Sequence, residues 1–491
     1  MNTKKWMMTV CFALMTMGMQ ATNYYCSPTG TGDGKTPENP GALRTMMQKL
    51  YAGDCLYMRD GVYEISSTVN YLTRNGNANN YITICAYENE KPIWDFRNQP
   101  NGSNNNGWNL SRNYVHVKGL TIRYAGYKGI QNTGSYNILE NMEVYGCCDT
   151  GIQHKTGGHN LIINCDSHEN FDYQANGGNA DGFADKQYTG AGNVYIGCRA
   201  WGNSDDGWDS FKRVTKTDDT PTVYPTVYIN CITYNNGPEY FDLSAHPRVL
   251  GKDAGLSCFV GKDLSHFANG GNPNGFKLGG QGTKHDTELY RCLAVGHRSK
   301  GFDQNNNAGN MKVINCTSYK NKHNYGFGNS YAYTLVIKNC ISLSPISSHF
   351  DKYPGATITD DHNTWDTGFS ASESDFEGLD IESVINAPRN ADGSLAETTQ
   401  FHLKSTSTNL IDKGVNYTDF SGEKIADYVF YKGEAPDLGC YEYDPSTGIS
   451  AVTVKGADLN PNMPRYNARG QQVDSQYKGL VIQGGRKYIQ K

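Results

Sequence analysis

Past residue 20 the chain has no apolar run long enough to cross a membrane as a helix. It has no block of Lys or Arg either. Its 44 basic residues are outnumbered by 49 acidic ones, for a formal charge of −5, which argues against nucleic acid as a partner. The 12 histidines are scattered, without a metal-ligand spacing such as His-x-x-x-His. No Leu-x-x-Leu-x-Leu frame occurs, which argues against a leucine-rich repeat. Gly (55) and Tyr (34) are plentiful, as is Asn, while aliphatics are modest. That mixture suits many short strands joined by tight turns rather than helices. The length allows two or three domains or one long solenoid.

Residues 1–21 read as an export signal: Lys4 and Lys5, an apolar run from Trp6 to Met19, and small residues at Ala21-Thr22. Asn23-Tyr24-Tyr25 ahead of Cys26 does not fit a lipoprotein cleavage site, so a soluble exported, periplasmic or secreted monomer is expected. Removing Lys4 and Lys5, with no acid, takes the formal charge from −5 to −7. Cys11 lies in the signal and is one of 14 cysteines. Most of the others end an apolar strand, where buried thiols are favoured over disulfides.

One phrase recurs, an apolar strand followed by Asn-Cys or a variant. Its cysteines are Cys165, Cys198, Cys231, Cys292, Cys316 and Cys340, with steps of 33, 33, 61, 24 and 24. A second ladder sets Gly before a large apolar residue: Gly129-Ile130, Gly151-Ile152, Gly182-Phe183, Gly207-Trp208, Gly275-Phe276, Gly301-Phe302 and Gly326-Phe327. A base period of 22–26 residues is one coil of a parallel β-helix. Longer steps predict insertions near 170–190, 212–225 and 238–272. The expected organisation is a signal (1–21), an all-β parallel β-helix domain (22–445, clearest over 112–345), and a linker with a short C-terminal tail (446–491). Residues 346–400 read as irregular, Phe401-His402-Leu403 and 436–443 as closing strands, and the tail as a small strand pair.

Two turns carry the acids, Asn179-Ala180-Asp181-Gly182-Phe183-Ala184-Asp185 and Asn203-Ser204-Asp205-Asp206-Gly207-Trp208-Asp209. Adjacent carboxylates repel, so holding them close calls for a cation. All-oxygen ligands suit Ca²⁺. The plain alternative is solvated Asx turns. Farther on, Asn274-Gly275-Phe276-Lys277 repeats the Gly-Phe frame. Lys277 thus falls in the column of Asp209, about two coils away by sequence. A lysine whose pKa is lowered by a nearby cation can act as a base. Base, cation and a carboxylate substrate suit proton abstraction α to that carboxylate, followed by β-elimination. The plain alternative for Lys277 is a turn lysine.

At these residues the chain resembles polysaccharide lyase family 9, the parallel β-helix pectate lyases, over residues 24–445. The resemblance implies a right-handed helix and Ca²⁺ dependence. It implies a calcium site of Asp181, Asp205, Asp206 and Asp209 and a catalytic Lys277; all five positions match the family's pattern. The family cuts polygalacturonate or rhamnogalacturonan I, so a pectic polysaccharide is the implied substrate. Arg298 and Lys300, with Lys186, Lys212 and Arg213, are candidates to hold substrate carboxylates, against the plainer reading of surface cations. His154, His159, His168 and His246 read as polar loop residues. Trp201 and Trp208 read as core more than as sugar platforms. Two other readings stay open: a glycoside hydrolase using two of Asp181, Asp185, Asp205, Asp206 and Asp209, and a non-catalytic glycan-binding solenoid.

Overall fold

The computed structural model describes residues 21–212, 224–237, 271–422 and 425–444, and within the tail 465–467, 472–474, 479–483 and 486–490. Residues 1–20 of the expected signal, Arg213 and His246 lie outside this set.

The polypeptide winds through three parallel sheets of 12, 10 and 9 strands, visiting each in turn once per coil. This is a right-handed parallel β-helix. One inward column of the 12-stranded sheet runs Ile162, Tyr195, Tyr228, Leu289, Val313 and Ile337 in direct register. All six side chains are fully buried. The nine-stranded sheet contributes the second ladder. Phe183, Trp208, Phe276, Phe302 and Tyr325 stack with ring centroids 4.8, 4.8, 5.1 and 5.0 Å apart. That step is the strand spacing itself, about 4.8 Å. The core is therefore a set of stacked columns along one axis.

The Asn-Cys phrase has a conformational cause. At the corner between two sheets the residue before the cysteine adopts the left-handed conformation. Asn164, Asn230, Asn315 and Asn339 have φ of 54°, 52°, 52° and 57°, and Gly197 has 61°. Asn and Gly reach this region at least cost. The small thiol that follows fills the inside of the corner, and all six ladder cysteines are fully buried. Among the described residues the cysteines form no disulfide. Glycine of the second ladder is required by close approach: a Cβ on Gly207 would stand 2.2 Å from Thr233 Oγ1 and 2.7 Å from Gly275 O.

The coils extend beyond 112–345 at both ends. They start at the strand Asn23–Cys26 and close with Ser348–Lys352 and Thr357–Asp361. The latter two carry polar alternation, which hides a strand that still pairs on one edge. Phe401-His402-Leu403 and 436–443 are not strands; Leu403 makes one isolated bridge to Phe376. They form an irregular cover instead. Phe376, Ile381, Ile385, Phe401, Leu403, Leu410 and Leu438 pack on Trp201, Ile232, Leu293, Val295, Ile341 and Leu343 of the 10-stranded sheet. Because that outer face is apolar, it needs a cover more than the sheet needs another strand. Arg389 of the cover pairs with Asp166 of the coil at 2.6 Å, and Arg199 of the coil, itself paired with Asp166 at 2.8 Å, donates to the carbonyls of Val384, Ile385 and Ala387 in the cover. A second compact unit spans Asp444–Lys491, where four strands rather than a pair form an antiparallel sheet.

Candidate functional site

The residue just before each ladder glycine from Gly129 to Gly301 forms a column of its own; Gly326 falls out of the frame, because Tyr325 and not Phe327 stacks on Phe302. Along the axis it reads Lys128, Thr150, Asp181, Asp206, Asn274 and Lys300. Backbone bonds tie each step, such as Gly182 N to Asp206 O at 3.0 Å and Gly207 N to Asn274 O at 2.9 Å. Side chains continue them. Thr150 Oγ1 donates to Asp181 Oδ2 at 3.0 Å, Asp206 N to Asp181 Oδ1 at 3.3 Å, and Asn274 N and Nδ2 to Asp206 Oδ1, both at 2.8 Å.

Two positions after each glycine a second column runs Ala184, Asp209, Lys277 and Asp303. Lys277 pairs directly with Asp209, one coil away instead of two. Of the 67 residues between them, the described ones hold one set of sheet strands, Thr226–Ile229 and Ile232–Tyr234.

The two columns meet at a carboxylate cluster. Asp181, Asp206 and Asp209 each offer an oxygen within 4.8 Å of the others. Asp205 borders this close set and turns Oδ1 to Asn272 N at 3.0 Å. All four are buried, at 4% exposure or less. Two ammonium groups enter the cluster. Lys277 Nζ donates to Asp206 Oδ2 at 2.8 Å and stands 3.5 Å from Asp209 Oδ1. Lys186 Nζ donates to Asp181 Oδ2 at 2.7 Å and to Asp209 Oδ2 at 3.0 Å.

Burial dominates the electrostatics. It pushes Asp181 up to about 7 and Asp205 up to about 6, and lifts Asp206 well above the usual carboxylate value. Burial acts the same way on Asp209, but the ammoniums of Lys186 and Lys277 outweigh it and hold that carboxyl below its ordinary value. Burial by itself lowers Lys277; the facing carboxylates, Asp206 first, outweigh it and raise this amine well above its ordinary value. A packed group of oxygens that burial makes costly to charge is a ready site for a hard cation.

Other predicted groups fall elsewhere. Asp185 faces away from the cluster, with Oδ1 accepting from Asn193 Nδ2 at 2.8 Å and Oδ2 from the hydroxyl of Thr226. Lys300 opens the strand one coil beyond Lys277, and its Nζ pairs with Asp303 at 2.7 Å. Arg298 lies two residues earlier, half-buried, and Lys212 follows the Asp209 strand. His154 and His168 are strand residues, not loop residues, and are buried. His168 stacks on Trp201 at 4.1 Å. Trp208 is wholly interior, so it is no sugar platform. Asn274 and Thr150 were not singled out from the sequence, although both sit in the ladder frame that yields Asp181 and Asp206.

A sequence profile described as the Pel9A-like, right-handed β-helix region matches residues 24–342. The chain belongs to this family, polysaccharide lyase family 9. Pectate lyase L of Dickeya chrysanthemi is 35% identical over 449 residues, covering 88% of this chain and 93% of that protein. The crystal structure of pectate lyase Pel9A superposes with a TM-score of 0.70 at 33% identity, over 87% of this chain and 98% of Pel9A. The structure of a rhamnogalacturonan lyase has a similar fold to this chain, with a TM-score of 0.61 at 21% identity, over 78% of this chain and 97% of that one. Among the described residues no helix is long and apolar enough to cross a membrane.

Proposed function

We propose that this family 9 member is an exported enzyme that cleaves a galacturonate-containing pectic backbone, polygalacturonate or rhamnogalacturonan I, by β-elimination. Lys277 is the base, and Asp181, Asp205, Asp206 and Asp209 hold Ca²⁺. The observation that carries the reading is the pairing of Lys277 with Asp209 beside the close set of Asp181, Asp206 and Asp209. The donor set fits a hard divalent cation, because all its side-chain donors are carboxylate oxygens and three lie within 4.8 Å of one another. Bound there, such an ion supplies positive charge that binds a uronate carboxylate and stabilises the charge that builds on it.

Lys277 does the proton transfer. Its Nζ takes the proton from C5 of the uronate. The C5–H electron pair becomes the C4=C5 double bond, the bond from C4 to the bridging oxygen breaks, and that oxygen leaves and takes a proton from a water molecule, while the Lys277 ammonium afterwards returns its proton to solvent. Nζ must be neutral to do this. Its pairing with Asp206 and Asp209 favours the ammonium, and a cation held by those carboxylates would weaken that preference. The surrounding burial keeps Lys277 and the carboxylates in one geometry and excludes bulk water. The names of the relatives, pectate lyases among them, support the substrate class. Export is supported by the basic, then apolar, then small-residue pattern of residues 1–21.

The test is ultraviolet absorbance of products, since elimination leaves a 4,5-unsaturated uronide and hydrolysis does not. Polygalacturonate or rhamnogalacturonan I should yield absorbing products and galactan none. Cleavage with no absorbance gain, or comparable turnover of galactan, would refute the proposal.

A further inference from the structure

Lys186 is the second ammonium of the cluster, and the proposed elimination does not use it. It directly follows the strand Phe183–Asp185, and its side chain runs back to Asp181 five residues earlier. Nζ bridges Asp181 Oδ2 and Asp209 Oδ2, at 2.7 and 3.0 Å, with the side chain 11% exposed. These carboxylates are two of the three whose oxygens lie within 4.8 Å of one another. An oxygen that accepts from an ammonium has less of its lone-pair charge to offer a metal. An ammonium about 3 Å from those oxygens would also repel a dication among them, since like charges in a poorly hydrated site interact strongly.

We propose that Lys186 and a divalent cation compete for Asp181 Oδ2 and Asp209 Oδ2. Lys186 thereby sets the cation affinity of the site and swings out when the ion enters. The flexible four-carbon stem of lysine permits this movement. The inference rests on the metal reading proposed above. It makes Lys186 a positioning residue that holds the carboxylates together and weakens metal binding.

Titration calorimetry with CaCl₂ on the full mature chain tests it. Lys186→Met should bind Ca²⁺ roughly tenfold or more tightly than wild type, whereas Asp206→Ala should bind it far more weakly. Equal or weaker affinity in Lys186→Met, with wild type still binding Ca²⁺, overturns the competition and leaves the metal reading standing. If neither wild type nor Lys186→Met binds Ca²⁺, both readings fall. A second measurement needs no substitution. Amine acetylation of wild-type protein, read by peptide mass spectrometry, should label Lys186 faster at saturating CaCl₂ than without it. Unchanged or slower labelling overturns the displacement even if the variant fails to fold.

Discussion

Lys277 and Asp209 are direct partners across one strand step, although they lie 68 positions apart in the chain. The same step brings Lys277 Nζ to 2.8 Å from Asp206 Oδ2. Lys277 and Asp209 are therefore fixed by strand pairing, while Asp181 and Asp206 sit in the turns that lead into the strands Phe183–Asp185 and Trp208–Asp209.

This arrangement makes calcium the first test. Chelation of the purified protein should abolish lyase activity, and added Ca²⁺ should restore it. Asp206→Ala removes a member of the close set and should match the chelated wild type at ordinary Ca²⁺ concentrations. Full activity after exhaustive chelation, with no metal detected by elemental analysis, would count against the metal role.

Lys277→Ala should lower turnover by about 10² to 10⁴, the usual contribution of a general base. Binding of Ca²⁺ should persist, because the carboxylates remain. Lys277→Arg should not rescue, since guanidinium stays protonated. Since the amine must be neutral to act and its carboxylate partners favour the ammonium, wild-type activity should rise with pH into the alkaline range. The absorbance assay reads all of this; near-wild-type turnover in Lys277→Ala would move the base to another residue.

The aromatic ladder carries stability more than chemistry. Trp208 lies between Phe183 and Phe276, at 4.8 Å from each ring. Trp208→Ala would open a cavity in this column and should cost about 3–5 kcal/mol. Denaturant unfolding followed by circular dichroism measures it, and a loss below about 1 kcal/mol would mean that the column collapses to fill the gap.

Two buried histidines set an acid limit. Burial pushes both His154 and His297 down to about 4, from an ordinary 6.5. His297 Nδ1 bonds Asn321 Oδ1 at 2.7 Å while Nε2 faces Asn236 Nδ2 at 3.1 Å, a set that a neutral ring satisfies. A folded-state pKa below the unfolded one stabilises the protein above about pH 6.5, and that stability is lost as pH falls towards 4. Within the window each group costs about 1.4 kcal/mol per pH unit. Unfolding free energies measured from pH 7 to 4.5 should fall accordingly, and His297→Gln should flatten the slope. An unchanged slope would mean that the folded protein takes up this proton as readily as the unfolded chain.

Much of this was legible in the residues. The ladders of Cys and of Gly-aromatic pairs repeat because a coil returns to the same place at every turn, so stacking imposes one residue type per column. That gave the solenoid, and it brought Asp181 near Asp206 and Lys277 into the column of Asp209. The strands Ser348–Lys352 and Thr357–Asp361 were missed because their polar residues alternate without an apolar run. The expected closing strands were misread because an apolar segment covering a sheet looks like a strand in sequence.

The sequence by itself determined the periodic fold and the chemical character of its columns, because local spacing dictates what stacks on what. Only the tertiary structure decided how many coils separate two members of a column, since an insertion and an extra coil leave the same gap in the numbering. It alone brought Lys186 into the carboxylate set and turned Asp185 out of it. Where a side chain points depends on the fold around it, and one residue of offset along a strand sends it to the other face.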